Sequence, residues 1–138
     1  MGAVYSVQLK MYVEDEQGAV ETLQNYVENK GADGHTDFSL EDHADEGVYP
    51  DNLDDLIKIF LAGWASTPFN KKVDSDGMLT YTNDFDASYG WEGVMQDMFE
   101  LLIPYISDIS TLMIEPDNNG YTLGIENGEM TTIDSWTI

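Results

Sequence analysis

Residues 4–13 read VYSVQLKMYV, and apolar and polar side chains alternate along this stretch. Successive side chains of a β-strand point to opposite faces, so the alternation predicts a strand that is buried on one side. Its solvent face carries Ser6, Gln8 and Lys10. Its buried face is expected to consist of Tyr5, Val7, Leu9, Met11 and Val13.

Two helices are predicted in the first half of the chain. The first follows the acidic run Glu14-Asp15-Glu16, which suits the positive end of a helix dipole, and is expected to stop at Asn29-Lys30-Gly31. The second is expected to begin at Pro50-Asp51-Asn52. Apolar residues recur at helical spacing in both: Ala19, Val20, Leu23, Tyr26 and Val27 in the first, and Leu53, Leu56, Ile57, Phe60, Leu61 and Trp64 in the second.

The stretches between these elements are predicted to be irregular. Residues 31–50 form a loop in which Phe38 and Leu40 belong to a short strand or a docked turn. Residues 65–77 form a connector that ends in the turn Asp74-Ser75-Asp76-Gly77.

The second half predicts a strand, a helix and three further strands. The helix opens at Ser88 or Tyr89, buries an apolar face, and ends or kinks at Pro104. Asn127-Gly128 is a strong signal for a two-residue hairpin loop. The inward positions of the helix are Val94, Met95, Met98, Phe99, Leu102 and Ile106, and the strands are residues 78–85, 112–115, 121–126 and 130–138.

The element order is therefore β-α-(β)-α-β-α-β-β-β. It predicts an α+β fold, in which about three helices cover one face of a mainly antiparallel sheet. At 138 residues, with neither a repeat nor a linker, the chain is expected to form a single domain spanning residues 1–138.

The charge is the most informative feature for function. The chain has 27 acidic residues, five lysines and no arginine, which gives a formal net charge of −22. Arginine is the usual residue for gripping phosphate, because its planar group donates two parallel hydrogen bonds. We therefore expect no direct binding to nucleic acid and no binding to anionic membranes, and we expect a basic protein as partner.

Other compositional features limit the remaining possibilities. The chain has no cysteine, which fits a reducing cytoplasm (the host's, if the protein is phage-encoded) and excludes disulfides and thiol nucleophiles. Its longest apolar runs are far shorter than a membrane span, and no signal peptide is visible.

Because calcium binds carboxylate oxygens, an acidic chain has to be compared with known calcium-binding loops. The segment from Glu115 to Glu126 matches much of an EF-hand loop, with Asp117, Asn119 and Gly120 at suitable positions. However, Pro116 lies inside the loop, and strands rather than helices are predicted on both sides. The segment is interpreted as a hairpin, and no metal site is predicted.

No other pattern predicts a cofactor or a catalytic site. His35, Asp37, Asp42 and His43 lie close together in sequence, but their spacing fits no metal-site template and a polar loop explains them. Paired carboxylates are the acid and base of glycosidases, yet 27 acidic residues make accidental pairs common. The chain has neither a phosphate-binding glycine loop nor a nucleophile motif, so we expect no enzymatic activity and no cofactor.

The aromatic residues Tyr81, Phe85, Tyr89 and Trp91 lie near the strand-to-helix junction. A base-stacking platform needs a cationic groove, whereas Asp84 and Asp86 lie among these rings, so packing in the core and at its rim is the preferred interpretation. The alternative is that Tyr89 and Trp91 form an exposed anchor for a protein partner, because Tyr and Trp are enriched at binding hot spots.

The acidic clusters are the remaining candidates for a binding surface. A net charge of about −5 to −8 suffices for solubility, so −22 favours a further role, although solubility and adaptation to high salt remain alternatives. Duplex DNA carries one charge per roughly 1.7 Å, which a compact acidic domain can approximate. The candidate partner-binding residues are Glu14, Asp15, Glu16, Glu41, Asp42, Asp45, Glu46, Asp51, Asp54, Asp55, Asp84 and Asp86, together with Tyr89 and Trp91.

In size, charge and lack of cysteine, the chain resembles the small acidic inhibitors of phages and mobile elements, of the anti-CRISPR and anti-restriction type. The region of residues 81–133, with Phe85-Asp86-Ala87-Ser88-Tyr89-Gly90-Trp91 and the turn Asn127-Gly128, is similar to ferredoxin-like domains of uncharacterised plasmid and phage proteins. The first resemblance implies a protein that blocks the nucleic-acid site of a CRISPR effector or another nucleic-acid-binding protein by mimicking DNA. The alternative is an acidic binder of another basic protein, such as a toxin-immunity protein or an enzyme regulator.

Overall fold

The computed structural model describes residues 2–32, 52–62, 70–88, 90–116 and 119–137. Within these ranges, six antiparallel strands form one sheet. The strands are β1 (Gly2–Met11), β2 (Asn70–Val73), β3 (Leu79–Ser88), β4 (Thr111–Glu115), β5 (Asn119–Glu126) and β6 (Glu129–Thr137). Their order in the sheet is β2-β3-β1-β4-β5-β6.

The alternating stretch at the start of the chain forms a central strand. β1 pairs along its whole length with β3, from Gly2↔Ser88 to Met11↔Leu79, and on its other side with β4. The side chains predicted to face inward on β1, from Tyr5 to Met11, are buried, and Val13 is half-buried in an isolated bridge to Ile106. The period-two prediction is therefore confirmed for β1.

In the part of the chain that the structure describes, three helices lie over the face of the sheet to which these residues point, so the predicted α+β architecture is confirmed. The helices are α1 (Glu16–Ala32), α2 (Leu53–Ala62) and α3 (Trp91–Leu102), and a short 3-10 helix, Ile103–Tyr105, follows α3. Their apolar stripes supply the other half of the core: Ala19, Leu23, Val27, Leu53, Leu56, Ile57, Phe60, Leu61, Trp91, Met95, Met98, Phe99 and Leu102 are all buried.

Two buried polar groups hold α2 against its neighbours. The indole Nε1 of Trp91 donates to the carbonyl oxygen of Phe60 at 2.7 Å, and the Nδ2 of Asn83 donates to that of Leu61 at 2.9 Å. Both acceptors lie in the last turn of α2. Side chains from α3 and β3 thereby fix the position of this helix end.

The hairpin between β5 and β6 follows the predicted chemistry. Asn127 and Gly128 both adopt positive φ angles, of 55° and 77°, which are the values that a type I′ turn requires at its two central residues. A bulge interrupts the β5–β6 register between Thr122 and Leu123.

Several predicted boundaries differ from the structure. The predicted connector 65–77 contains β2, whose residues are all exposed, so its sequence lacks the apolar alternation of a half-buried strand. β3 extends to Ser88 because it pairs with the full length of β1, and α3 consequently begins at Trp91. α1 continues through Gly31 to Ala32; a glycine costs a helix only about 1 kcal/mol, so it does not force a stop. Phe38, Leu40 and Trp64 lie outside the described residues.

Candidate functional site

The first acidic cluster lies where α1 begins. Asp15 is the residue that caps this helix, because its Oδ1 accepts a hydrogen bond from the backbone N–H of Gly18 at 3.0 Å. Its backbone carbonyl accepts the N–H of Ala19 at 3.1 Å. The flanking residues Glu14 and Glu16 are exposed. Asp15 therefore caps the helix, whereas the charges of Glu14 and Glu16 are exposed to solvent.

A second cluster lies at the start of α2. Asn52 and Asp55 cap the helix reciprocally: the N–H of Asp55 donates to Asn52 Oδ1 at 2.9 Å, and Asn52 Nδ2 donates to Asp55 Oδ2 at 2.9 Å. Asp54 points the other way and accepts hydrogen bonds from Lys71 Nζ at 2.8 Å and from the Tyr81 hydroxyl at 2.7 Å.

The surroundings of Asp54 change its protonation. Burial alone would raise the pKa of its carboxyl, but hydrogen bonds from Lys71 and Tyr81 outweigh that effect and lower the pKa below its ordinary value. Asp54 is therefore a charged group that joins α2 to β2 and β3, and its charge is compensated by Lys71.

The turn between β2 and β3 contributes two more carboxylates. Asp74 folds the turn by accepting the backbone N–H groups of Asp76 and Met78 on its Oδ1, both at 2.9 Å. Gly77 closes the turn with a φ of 88°, a conformation that other residues rarely adopt. This geometry leaves Asp76 exposed at the tip.

Hydrogen bonds and a ring contact bring these segments to the same end of the sheet, where β1 ends and β3 and β4 begin. The backbone N–H groups of Glu14 and Asp15 donate to the carbonyl of Tyr105, and that of Ser107 donates to the carbonyl of Tyr12. The ring of Tyr12 in turn lies against Gly77. Glu16 is close enough to Tyr81 to raise the pKa of its hydroxyl, after the larger effects of burial and Asp54.

We call the carboxylates gathered there the acidic edge: Glu14, Asp15, Glu16, Asp54, Asp55, Asp74, Asp76 and Asp108. They come from the starts of two helices, the β2–β3 turn and the loop after the 3-10 helix. Among the described residues, the ion pair Lys71–Asp54 offsets part of this charge, and Lys10 and Lys72 line a depression together with Asp74. Such an edge attracts basic groups and repels phosphates.

Five of the predicted candidates belong to this edge, namely Glu14, Asp15, Glu16, Asp54 and Asp55. Sequence reasoning missed Asp74, Asp76 and Asp108 as members. The Asp-Ser-Asp-Gly turn was visible in the sequence, but nothing there showed that it lies beside Tyr12. Asp108 lies in a short turn whose place depends on the pairing of Ser107 with Tyr12.

The other candidates lie elsewhere. Asp84 is exposed on the opposite face of the sheet, the one that the helices leave open, where it lines a shallow depression of about 480 Å³ with Ser6, Gln8 and Asn70. Asp86 is in β3, and its side chain is not described. Glu41, Asp42, Asp45, Glu46, Asp51 and Tyr89 lie outside the described residues.

The alternative interpretation of Trp91 as an exposed anchor is wrong. Only 2 % of its surface is accessible, and its indole N–H is used inside the protein by Phe60. Tyr81 and Phe85 are buried as well, and the ring of Phe85 lies 5.9 Å from that of Tyr5. The preferred interpretation, packing in the core, is confirmed for these three aromatic residues.

Most of the segment from Glu115 to Glu126, which matched a calcium loop in sequence, is strand, as the hairpin interpretation requires. β4 ends at Glu115 and β5 begins at Asn119, and the carboxylate of Glu115 accepts a hydrogen bond from Trp136 Nε1 at 3.0 Å. Within the described part of the chain, no group of three or more acidic or histidine side chains is arranged to hold a metal ion. His35, Asp37, Asp42 and His43 are not in that part.

No known protein family, curated protein or solved structure matches this chain. Among the described helices, none is long and apolar enough to cross a membrane.

Proposed function

We propose that this protein is a non-enzymatic acidic inhibitor that binds a basic nucleic-acid-binding protein and blocks its nucleic-acid site. The observation that carries the proposal is the convergence of carboxylates from four separate segments at one end of the sheet, where β1 ends and β3 and β4 begin, in a chain with a net charge of −22. Helix capping accounts for Asp15 and Asp55, and turn formation for Asp74. It does not account for Glu14, Glu16 and Asp76, which are exposed.

The mechanism is competition for cationic side chains. Carboxylates of the acidic edge pair with the Lys and Arg residues that otherwise hold phosphates, so the partner cannot bind the inhibitor and nucleic acid together. The field of the whole molecule accelerates the encounter, and salt weakens this acceleration. The resemblance to anti-CRISPR proteins makes a CRISPR effector the first choice of target.

Displacement of nucleic acid tests this proposal. A purified CRISPR effector and a purified restriction enzyme are each loaded with fluorescent duplex DNA, and the chain is titrated in at physiological salt. We expect loss of fluorescence anisotropy at stoichiometric concentrations for one of them. Polyglutamate of about 22 residues is the control for nonspecific polyanion competition, and it should need a much higher concentration.

Charge variants locate the binding surface. The variant Glu14→Gln/Glu16→Gln/Asp76→Asn removes three charges from the acidic edge, and Glu21→Gln/Asp84→Asn/Glu100→Gln removes three exposed charges elsewhere. We expect the first variant to slow association at least about tenfold and the second to change it much less. Equal effects would contradict a role for the acidic edge. Binding without displacement of DNA would favour the alternative, an acidic binder of another basic protein.

A further inference from the structure

The strand β6 forms one border of the sheet. It spans nine residues, Glu129–Thr137, and among the described strands it pairs with β5 alone. A border strand exposes backbone N–H and C=O groups that another extended chain can use. Most β6 residues are exposed, and Ile133 has 56 % of its surface accessible.

The opposite border of the sheet is protected differently. β2 has four residues and carries Lys71 and Lys72. Short length and lysines are the usual means by which proteins block strand addition at an edge. β6 is longer and contains no lysine and no proline, and it is rich in threonine and other residues of high β propensity. The bulge in its register with β5 comes after Thr132, so the stretch from Glu129 to Thr132 is regularly paired.

The hairpin register defines which backbone groups of β6 point outward. A two-residue loop is closed by a hydrogen-bonded pair, here Glu126↔Glu129, and such pairs alternate with non-hydrogen-bonded ones. Met130 and Thr132 therefore occupy non-hydrogen-bonded positions and direct their N–H and C=O groups away from β5, whereas Thr131 bonds to it.

The charge around this border selects its occupant. Residues 111–137, which include β4, β5 and β6, contain five acidic residues and no Lys, Arg or His. Glu126, Glu129 and Asp134 are exposed at or near β6. A second copy of the chain would bring another −22 charge to the same place, whereas an extended basic segment would be attracted.

We propose that an extended basic segment of the partner protein adds to the sheet as a seventh strand along β6. This inference rests on the proposed function for the basic character of the partner. Main-chain hydrogen bonds give such strand addition its affinity, and alternate side chains give it specificity. The lysines of the added strand would face the carboxylates of Glu129 and Asp134.

A synthetic peptide tests the inference on the full chain. The probe is acetyl-Lys-Val-Lys-Thr-Lys-Val-Lys-Thr-Lys-amide, and a peptide with Glu in place of every Lys is its control. Amide hydrogen exchange is followed by NMR. We expect exchange at Met130 and Thr132 to slow at least about tenfold with the basic peptide and to stay unchanged with the acidic one.

Two variants make the result specific to the border. Thr132→Pro removes an N–H that points away from β5, and it leaves the hydrogen bonds between β5 and β6 in place. Ile133→Lys places a lysine on β6. Both variants should abolish the slowed exchange, and circular dichroism checks that each is folded. Slowed amide exchange confined to β2 or to residues of the acidic edge would contradict strand addition at β6. Sedimentation that shows a dimer of the chain would also contradict it. The acidic-edge variant tests the proposed function separately, since its effect on DNA displacement does not require this peptide to bind.

Discussion

Trp91 shows how one side chain can look like a binding residue in sequence and be a core residue in the structure. Its ring lies beneath the end of α2, and its N–H donates to the carbonyl of Phe60 in the last turn of that helix. The tyrosine and glycine before it suggested an exposed anchor. The deciding fact, that α2 packs over this position, is a long-range contact that local sequence does not contain.

Replacement of Trp91 by Phe should reduce stability. The change removes a buried hydrogen bond and part of a ring, and we expect the free energy of unfolding to fall by about 1–3 kcal/mol. Urea unfolding measures it. Trp136→Phe is the matched control, because Trp136 is only half-buried and its N–H bonds to the partly exposed Glu115. A larger loss for Trp136→Phe would contradict this account.

Asp54 should contribute stability that depends on pH. Its pKa is lowered in the folded protein, so its contribution is present above the ordinary carboxyl pKa and is lost as the pH falls through the lowered folded value. Asp54→Asn should cost about 1 kcal/mol at pH 7, a modest value because the ion pair is half-exposed. The difference from wild type should shrink towards pH 3 in urea unfolding.

Asp55→Asn is the control for that measurement, since it removes the same charge from the same helical turn. Asp55 contacts Asn52 rather than a cation. If Asp55→Asn showed the same pH dependence as Asp54→Asn, the contacts of Asp54 with Lys71 and Tyr81 would not be the cause.

At the scale of elements, two glycines should respond to alanine in opposite directions. Gly128 has a φ of 77° with open space around it, so Gly128→Ala should cost about 1–2 kcal/mol from backbone strain alone. Gly93 lies in α3 and also has open space, so Gly93→Ala should stabilise the protein by up to about 1 kcal/mol. In thermal unfolding, Gly128→Ala should lower the midpoint temperature and Gly93→Ala should raise it. A change in the same direction for both variants would contradict this account of the two glycines.

Elements with a local signature could be predicted from sequence, and those defined by pairing could not. β1 showed period-two alternation, and the loop of the β5–β6 hairpin needed residues that tolerate positive φ. β2 had no signature, because an exposed edge strand buries neither of its faces. The end of β3 depended on how far β1 extends beside it, which only the register shows.

For the whole molecule, the charge imbalance should make stability depend on salt. Five lysines face 27 acidic residues, and exposed carboxylates repel one another over about 30 Å at 0.01 M salt but only about 8 Å at 0.15 M. We expect the urea midpoint to rise between 10 and 300 mM NaCl. The variant Glu14→Gln/Glu16→Gln/Asp76→Asn should show a smaller rise, and a midpoint that falls with salt would contradict net repulsion.

Only part of the acidic edge could be predicted from sequence, because the rest depends on contacts between segments that are far apart in the chain. Local sequence showed the clusters at the two helix starts, because acidic residues there suit the helix dipole. Their proximity to Asp76 and Asp108 depends on the contacts of Tyr12 with Gly77 and Ser107. Those contacts join segments far apart in the chain, and neither hydrophobic periodicity nor a turn motif in the sequence predicts them.

A further whole-molecule feature, among the described residues, is a set of three tyrosine hydroxyls that bond to carboxylates. Burial is the largest cause of the raised pKa in each, and the neighbouring carboxylate adds to it; for Tyr26 the result is a pKa of about 12. Each bond joins different elements, so the three together tie the helices to one another and to the sheet. The pairs are Tyr26–Asp97 at 3.3 Å, Tyr81–Asp54 at 2.7 Å, and Tyr121–Glu92.

These tyrosines should make the fold sensitive to alkali. A raised folded pKa means that the stability from each neutral phenol is fully present below the unfolded pKa of about 10 and is lost as the pH rises towards the folded value. We therefore expect the urea midpoint to fall between pH 9 and 11.5, with phenolate absorbance at 295 nm appearing in two phases, the second coinciding with unfolding. Tyr121→Phe removes one of the three groups and should give a shallower decline. If all tyrosines ionised in one phase while the protein remained folded, the three carboxylate bonds would not be holding their phenols neutral.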